Sequence, residues 1–283
     1  MLGIREFGSV KTASLILVLL LLAVLAITRY SNVLLRFAVG QEINLKTAHF
    51  SVAETEHFKI KYTAVDQDYV PIISRASEQA YRSVSQVFGR EPQGKTVIVV
   101  YPDSESLAAS FGWDRDQKAM GVYWGGSIRI LSPRAWIDAA DAEKVFTREG
   151  PMVHEFAHLM VDEITRGNYN RWWTEGIAQY VEKNLTGFEF ADPFANGRTP
   201  YYYQLDSLER SFDSLDQQVA YWQSLKIVEY LVDEYGQECL FEILEYLGQG
   251  LSMKQAVENA LEVDYSFFES KVYGVLNGNG REV

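Results

Sequence analysis

The chain has 283 residues, and its 47% hydrophobic and 13% aromatic content fits a packed globular protein and excludes a disordered one. A net charge of −12 with no cluster of Lys and Arg excludes nucleic acid as the main partner. The single cysteine, Cys239, excludes an internal disulfide framework and a thiolate metal site.

From Thr12 to Thr28 the chain carries no charge, and its apolar run Leu15–Ile27 lies between Lys11 and Arg29. As a helix it spans roughly 25 Å, near the lower limit for a bilayer core. Residues 1–28 therefore read as a signal anchor or a cleaved signal peptide. The imperfect cleavage site Val24-Leu25-Ala26 and the apolar residues beyond it (Val33, Leu34, Leu35, Phe37) favour the anchor. Arg5 and Lys11 before the span nearly balance Arg29 and Arg36 after it. The bulky domain that follows a basic N-terminus still argues for a single-pass protein of the cell membrane with that domain extracytoplasmic, or a secreted one if the segment is cleaved.

Residues 29–54 read as a membrane-proximal linker and 55–283 as one domain, strand-rich to about residue 135 and helical after it. In Phe58-Lys59-Ile60-Lys61-Tyr62 apolar and polar residues alternate, as in a half-buried strand. Pro71 opens a helix whose apolar face is Ile73, Ala76, Ala80, Val84 and Val87. The β-branched run Lys95–Tyr101 predicts a central strand, and Asp103 caps a short helix after it. Met120–Trp124 and Ser127–Leu131 flank Gly125-Gly126 as a two-residue hairpin. A short strand is expected at Gly187–Phe190. Helical signals dominate the remainder: a stripe of Tyr221, Leu225, Val228, Val232 and Tyr235 closed by Gly236, a core pattern around Cys239, and a Ser252/Gln255 capping box leading to about Leu261. A strand-rich lobe followed by a helical one is an α+β order.

Pro151 starts and Gly167 ends a helix that contains His154-Glu155-Phe156-Ala157-His158. Histidines four apart share one helical face, so both imidazoles can reach one metal ion, and Glu155 flanks that face as a candidate base. Beyond a turn comes Trp172-Trp173-Thr174-Glu175-Gly176-Ile177-Ala178-Gln179-Tyr180, in which Glu175 is the natural third ligand. The competing readings are a chance match at the histidines and a surface glutamate on an amphipathic helix.

His-Glu-x-x-His followed by Trp-x-x-Glu-Gly-x-Ala-x-Tyr resembles the gluzincin metallopeptidases of clan MA, above all the bacterial thermolysin-like "peptidase MA" proteins. The resemblance implies Zn2+ held by His154, His158 and Glu175, with Glu155 as the catalytic base. It also implies a small sheet packed on the zinc helix, a helical C-terminal lobe, and a peptide or protein substrate. Ala220-Tyr221-Trp222-Gln223-Ser224 resembles the Tyr-x-Lys-Gly segment of the aminopeptidase N family, where the tyrosine stabilises an oxyanion. Gln223 and Ser224 stand where that family has Lys and Gly, so Tyr221 is read either as catalytic or as a core tyrosine, with Tyr201, Tyr202 and Tyr203 as rivals. Gln179, one turn after Glu175, could orient a ligand imidazole or be an ordinary surface residue. Ser127–Leu131, expected to carry substrate by strand addition, lacks the acid that grips a free amino terminus in the aminopeptidases. The expectation is thus a membrane-anchored zinc endopeptidase, its N-terminal helix in the membrane; the alternative is a catalytically silent zinc-binding interaction protein.

Overall fold

A computed structural model describes residues 3–115 and 117–278; the side chains of residues 3–11, 13, 22–29 and 139 are outside the described set. The side chains of part of the expected span Thr12–Thr28, including Val24–Ala26, therefore lie outside the described set. Among the described residues no helix is long and apolar enough to cross a membrane.

Helix α1 runs unbroken from Gly3 to Lys46, so the segment expected as a linker is helical as far as Lys46. The reason lies in its own pattern. Asn32, Arg36, Val39 and Ile43 recur every three or four residues, which places them on one helical face. Val39 and Ile43 are buried in a cluster with Val99, Tyr101, Leu107 and Leu131. Polar anchors flank the cluster: Glu42 Oε2 accepts from Arg129 Nη2 at 3.2 Å, and Asn44 Oδ1 and Thr47 Oγ1 each accept from Lys61 Nζ at 2.9 Å.

The sheet comprises β1 (Ser51–Glu54), β2 (Phe58–Tyr62), β3 (Thr96–Tyr101), β4 (Gly121–Trp124) and β5 (Ser127–Leu131), in the order β1-β2-β3-β5-β4. Pairs β2–β3 and β3–β5 are parallel, β1–β2 and β4–β5 antiparallel. β3 is central as its sequence predicts, and with a helix layer on each face it reads as an uninterrupted apolar run. Helices α1 and α3 (Ser104–Phe111) cover one face. Asp103 caps α3 as expected, its Oδ1 accepting from Ser106 N at 2.7 Å. The other face, with Phe58, Ile60, Ile98, Val100, Ile128 and Ile130, packs on α2 (Val70–Phe88) and α5 (Met152–Thr165). Strand β4 forms the sheet edge on the α5 side, paired with β5 alone.

Beyond the sheet the chain is helical: α4 (Ala142–Glu149), α5, α6 (Arg171–Thr186), α7 (Leu205–Ser211), α8 (Gln217–Tyr235), α9 (Glu238–Gly248), α10 (Met253–Leu261) and α11 (Tyr265–Leu276). The result is a mixed sheet lobe followed by a helical lobe. Gly187–Phe190 forms no strand; Gly187 closes α6, and Phe188 N donates to Thr186 Oγ1 at 3.1 Å, so the segment is spent on ending that helix. The Ser252/Gln255 capping box is present, and Cys239 is a buried core residue whose thiol is pushed up to about 12 by burial.

Because Val39 and Ile43 complete the core over one sheet face, trimming the chain has two distinct outcomes. Removal of residues 1–28 should leave a folded protein. Removal of residues 1–50 exposes Val99 and Leu131, strips partners from buried Arg129 and Lys61, and should cost at least about 3 kcal/mol. Urea denaturation of the two truncated forms measures the difference, and equal midpoints would show that α1 is dispensable.

Candidate metal centre

Helices α5, α6 and α8 build the site. His154 and His158 project from one face of α5 with ring centroids 4.7 Å apart and planes nearly perpendicular. Trp172 and Trp173, fully buried at the start of α6, seat that helix in the core and bring Glu175 over the histidines. His154, His158 and Glu175 each present a ligand atom, all three within 4.8 Å of one another. Both Nε2 atoms lie 3.4 Å from Glu175 Oε2, close enough for charge attraction but outside hydrogen-bond geometry.

Each ligand is held from behind. His154 Nδ1 lies 3.1 Å from Glu182 Oε2, and His158 Nδ1 lies 2.7 Å from Thr174 Oγ1. With Nδ1 engaged, Nε2 of each ring is turned toward the centre of the cluster. Tyr221, on α8, donates through its hydroxyl to Glu175 Oε1 at 3.0 Å. That contact depends on Gly176: a Cβ there would come within 2.6 Å of Ser224 O and 2.8 Å of the Val228 side chain, so any larger residue would push α8 away.

The donor set fits a metal ion. Glu175 Oε2 is buried and has no hydrogen-bond partner, a position that costs free energy unless a cation meets it. Glu155, Glu175 and Glu182 are all buried beside the two imidazoles, and Arg171 Nε lies 3.4 Å from the other Glu175 oxygen, Oε1. Burial opposes ionisation of Glu175, but His158 and His154 outweigh it and hold the carboxyl well below its usual range. For His154 the balance is reversed in kind: burial opposes the charged form, yet Glu175, Glu182 and Glu155 raise its pKa well above the usual value. Two nitrogens and one carboxylate, with no fourth side chain joining them among the described residues, are the ligand set of a catalytic rather than a structural zinc site.

Glu155 sits beside this cluster on α5. Its Oε2 accepts from Tyr123 N at 2.6 Å, which leaves Oε1 as the freer oxygen. Burial raises its pKa, His154 and His158 pull it back, Glu175 pushes it up again, and the Tyr123 N–H steadies the ionised form. Gly121 makes this approach possible, since a Cβ there would meet Pro151 Cβ at 2.5 Å and Glu155 Cγ at 2.8 Å.

The structure thus brings together His154, His158, Glu175, Glu155 and Tyr221, and separates others. Ser127–Leu131, expected to carry substrate, is β5 and lies between β3 and β4, so its backbone is already paired on both sides; the edge that faces Glu155 is β4. Gln179 does not reach a ligand imidazole: it is buried, and its Nε2 donates to Glu175 O at 3.1 Å and Tyr221 O at 2.9 Å, tying α6 to α8. Tyr201 and Tyr203 are committed elsewhere, Tyr201 Oη donating to Asp216 Oδ2 at 3.3 Å and Tyr203 Oη accepting from Asp216 N at 3.0 Å, while Tyr202 stacks on Trp222. The residues that sequence reading missed are Glu182, Thr174, Gly121 and Tyr123. Glu182 carried a usable signal, because it follows Glu175 by seven residues and so shares its face of α6. Gly121 and Tyr123 carried none.

Comparison with known proteins adds the following. The sequence pattern described as the peptidase MA superfamily matches residues 76–276. No curated protein matches the chain. Among solved structures, the M1 zinc metallopeptidase from Deinococcus radiodurans superposes with a TM-score of 0.46 at 14% identity, covering 82% of this chain and 51% of that one. A mutant of the M1 zinc metallopeptidase from the same organism gives 0.47 at 13%, covering 82% and 52%. A two-domain M1 zinc metallopeptidase mutant bound to L-arginine gives 0.43 at 13%, covering 82% and 51%. The chain spans about half the length of these solved structures.

The imidazole supports generate a direct test. Glu182→Gln keeps the shape of the side chain but removes its charge, and should weaken divalent-metal affinity by about 10–100-fold in competition with a chelator. Affinity equal to that of the unaltered protein would mean that the 3.1 Å contact does not tune His154.

Proposed function

The chain belongs to the peptidase MA superfamily, and on that premise we propose that it is a zinc-dependent metallopeptidase that cleaves polypeptides internally. The observation that carries the reading is the buried, unpartnered Oε2 of Glu175 facing the Nε2 atoms of His154 and His158. These three residues are the proposed zinc ligands. The chemistry a zinc ion supplies when bound is Lewis acidity, which polarises a carbonyl and makes water acidic near neutral pH.

The chain's own groups do the rest. Glu155 accepts the proton of the attacking water at its freer oxygen and delivers it to the leaving amine, a contribution of roughly 10²–10⁴ in rate. Its raised pKa suits both halves of that exchange. The Tyr123 N–H holds the other oxygen and keeps the carboxylate from swinging away. Tyr221, whose hydroxyl reaches the ligand carboxylate, is assigned to hydrogen-bond the oxyanion as the carbonyl carbon becomes tetrahedral.

Substrate is proposed to add along β4. Tyr123 N points away from β5, so the outward backbone groups of this edge face the same cleft as Glu155. An extended peptide there is proposed to pair with the outward backbone groups that Glu155 leaves free and to lie against Glu155. No acid occupies β4, whose sequence is Gly-Val-Tyr-Trp, and an endopeptidase needs none to grip an amino terminus.

The first half of α1 is proposed to anchor the chain in the cell membrane, with the catalytic domain extracytoplasmic. Every residue from Leu15 to Leu21 is at least 50% exposed, an apolar surface that an acyl environment would cover. Full-length protein is expected in the membrane fraction, with its catalytic domain digested by protease added outside intact cells; recovery in the cytosol would remove the anchoring proposal.

The catalytic proposal is tested by two substitutions. Glu155→Gln is nearly isosteric, so it should retain one zinc per chain and lose turnover of an unstructured protein substrate. Tyr221→Phe should lower kcat by about 10²–10³-fold if the hydroxyl meets the oxyanion, with KM little changed. A zinc-loaded Glu155→Gln protein with normal turnover would dismantle the mechanism; full turnover in Tyr221→Phe would confine that hydroxyl to supporting Glu175.

A further inference from the structure

Strand β4 has an exposed problem. Only β5 holds it through backbone pairing. Four residues paired on one side make a weak mount for the N–H that positions Glu155. The strand needs a second point of attachment to hold that N–H in place.

Tyr123 supplies one. Its main chain donates to Glu155 Oε2, and its side chain reaches along α5 to Asp162, where the hydroxyl donates to Oδ2 at 2.6 Å. Glu155 and Asp162 are seven residues apart on α5, two helical turns on the same face. One residue of β4 is therefore fastened to the zinc helix at both its ends. The hydroxyl also accepts from Gly126 N at 3.1 Å, which ties in the hairpin tip.

The acceptor in this arrangement is a buried carboxylate, and it has to be compensated. Arg36 of α1 does this: Nη2 and Nε donate to Asp162 Oδ2 at 2.6 Å and 3.1 Å, and Nη1 donates to Glu163 Oε1 at 2.9 Å. Arg36 Nη2 also lies 3.3 Å from the Tyr123 hydroxyl, and Asn32 Nδ2 donates to Asp162 Oδ1 at 3.4 Å. Without the guanidinium, Asp162 would face its burial with neutral donors only, and the anchor of Tyr123 would loosen.

We infer that Arg36 is a positioning residue for Glu155, acting through Asp162 and Tyr123, so that α1 forms part of the catalytic apparatus. The inference rests on the peptidase reading of Glu155. A surface ion pair of ordinary strength would affect folding alone; this one ends, two hydrogen bonds later, on the carboxylate that moves the proton.

The test compares full-length zinc-loaded protein with Arg36→Leu, Arg36→Lys and Tyr123→Phe. Arg36→Leu and Tyr123→Phe should each retain zinc and lower kcat by about 10–100-fold, since small displacements of a reacting group have effects of that order, while KM stays nearly constant. Amide hydrogen exchange read by mass spectrometry should accelerate in the peptide spanning 121–126, and Arg36→Lys should restore part of both effects. A lower melting temperature with unchanged kcat and unchanged exchange in that peptide would overturn the inference and leave Arg36 a structural pair. Should Arg36→Leu fail to fold, Tyr123→Phe decides alone, because it removes one oxygen and keeps the ring. If the unaltered protein hydrolyses nothing, the peptidase reading fails, while the exchange comparison still shows whether Arg36 holds Tyr123 in place.

Discussion

A carboxylate buried with one oxygen unmatched is expensive, and Glu175 Oε2 is in that position. A buried polar atom left without a hydrogen bond costs about 1–3 kcal/mol, and more where it carries charge. The helices around it are arranged so that the cost is met at one point. Nε2 of His154 and of His158 face that oxygen, while their Nδ1 atoms are drawn off by Glu182 and Thr174. Glu175 Oε1 is turned the other way, toward the Tyr221 hydroxyl. Three buried carboxylates share the pocket with the two imidazoles and with Arg171, whose Nε lies 3.4 Å from Glu175 Oε1, so Oε2 is the oxygen left for a cation. Binding of a cation there would contribute to folding, because His154 and His158 on α5 and Glu175 on α6 converge only once those helices dock.

This arrangement assigns different duties to the two lobes. The ligands stand on helices packed in the largest apolar cluster, where Trp172, Trp173, Phe156 and Met160 are fully buried. Rigid packing suits groups that must hold a fixed geometry. The sheet contributes the edge strand β4, paired with β5 on one side. Glu155 belongs to the helix but takes one hydrogen bond from that edge, so it is the joint between the fixed lobe and the open strand. Tyr123 keeps the joint tight from the strand side, and Arg36 extends the brace into α1.

Most of this fold was legible from the chain itself, and the exceptions share a cause. β2, β3, the β4–β5 hairpin and helices α2, α5, α6, α8 and α10 each announce themselves by local signals: periodicity, Pro at a start, Gly at an end, or a capping box. The cluster of His154, His158 and Glu175 was legible because two of its members lie within one helical turn and the third follows a tryptophan pair. What escaped were relations between distant segments. Residues 29–46 read as a linker because their surface is mixed, with Val33, Leu34 and Phe37 exposed and only Val39 and Ile43 buried. Strand order also escaped. β5 follows β4 in the chain but is inserted between β3 and β4 in the sheet, and nothing in its five residues says so. Ser127–Leu131 was consequently expected to offer a free edge, whereas the edge strand of the correctly expected hairpin is β4. Gly187–Phe190 failed for the opposite reason: an apolar tetrad was credited with a strand when its first residue closes α6.

Two glycines show how much of the site depends on contacts that a sequence pattern cannot display. Gly176 follows Glu175 and looks like part of a motif, yet its role is to admit α8, whose Ser224 carbonyl would lie 2.6 Å from a Cβ. Gly121 belongs to no motif, and a Cβ there would strike Pro151 and Glu155. One sets the distance from α6 to α8, and with it the reach of Tyr221 to Glu175. The other sets the distance from β4 to α5, and with it the reach of Tyr123 N to Glu155. The two functional carboxylates are therefore each steadied by a hydrogen bond whose length is fixed by a missing methyl group on a neighbouring element. A metal centre of this kind is specified as much by where backbone can approach backbone as by the side chains that hold the ion.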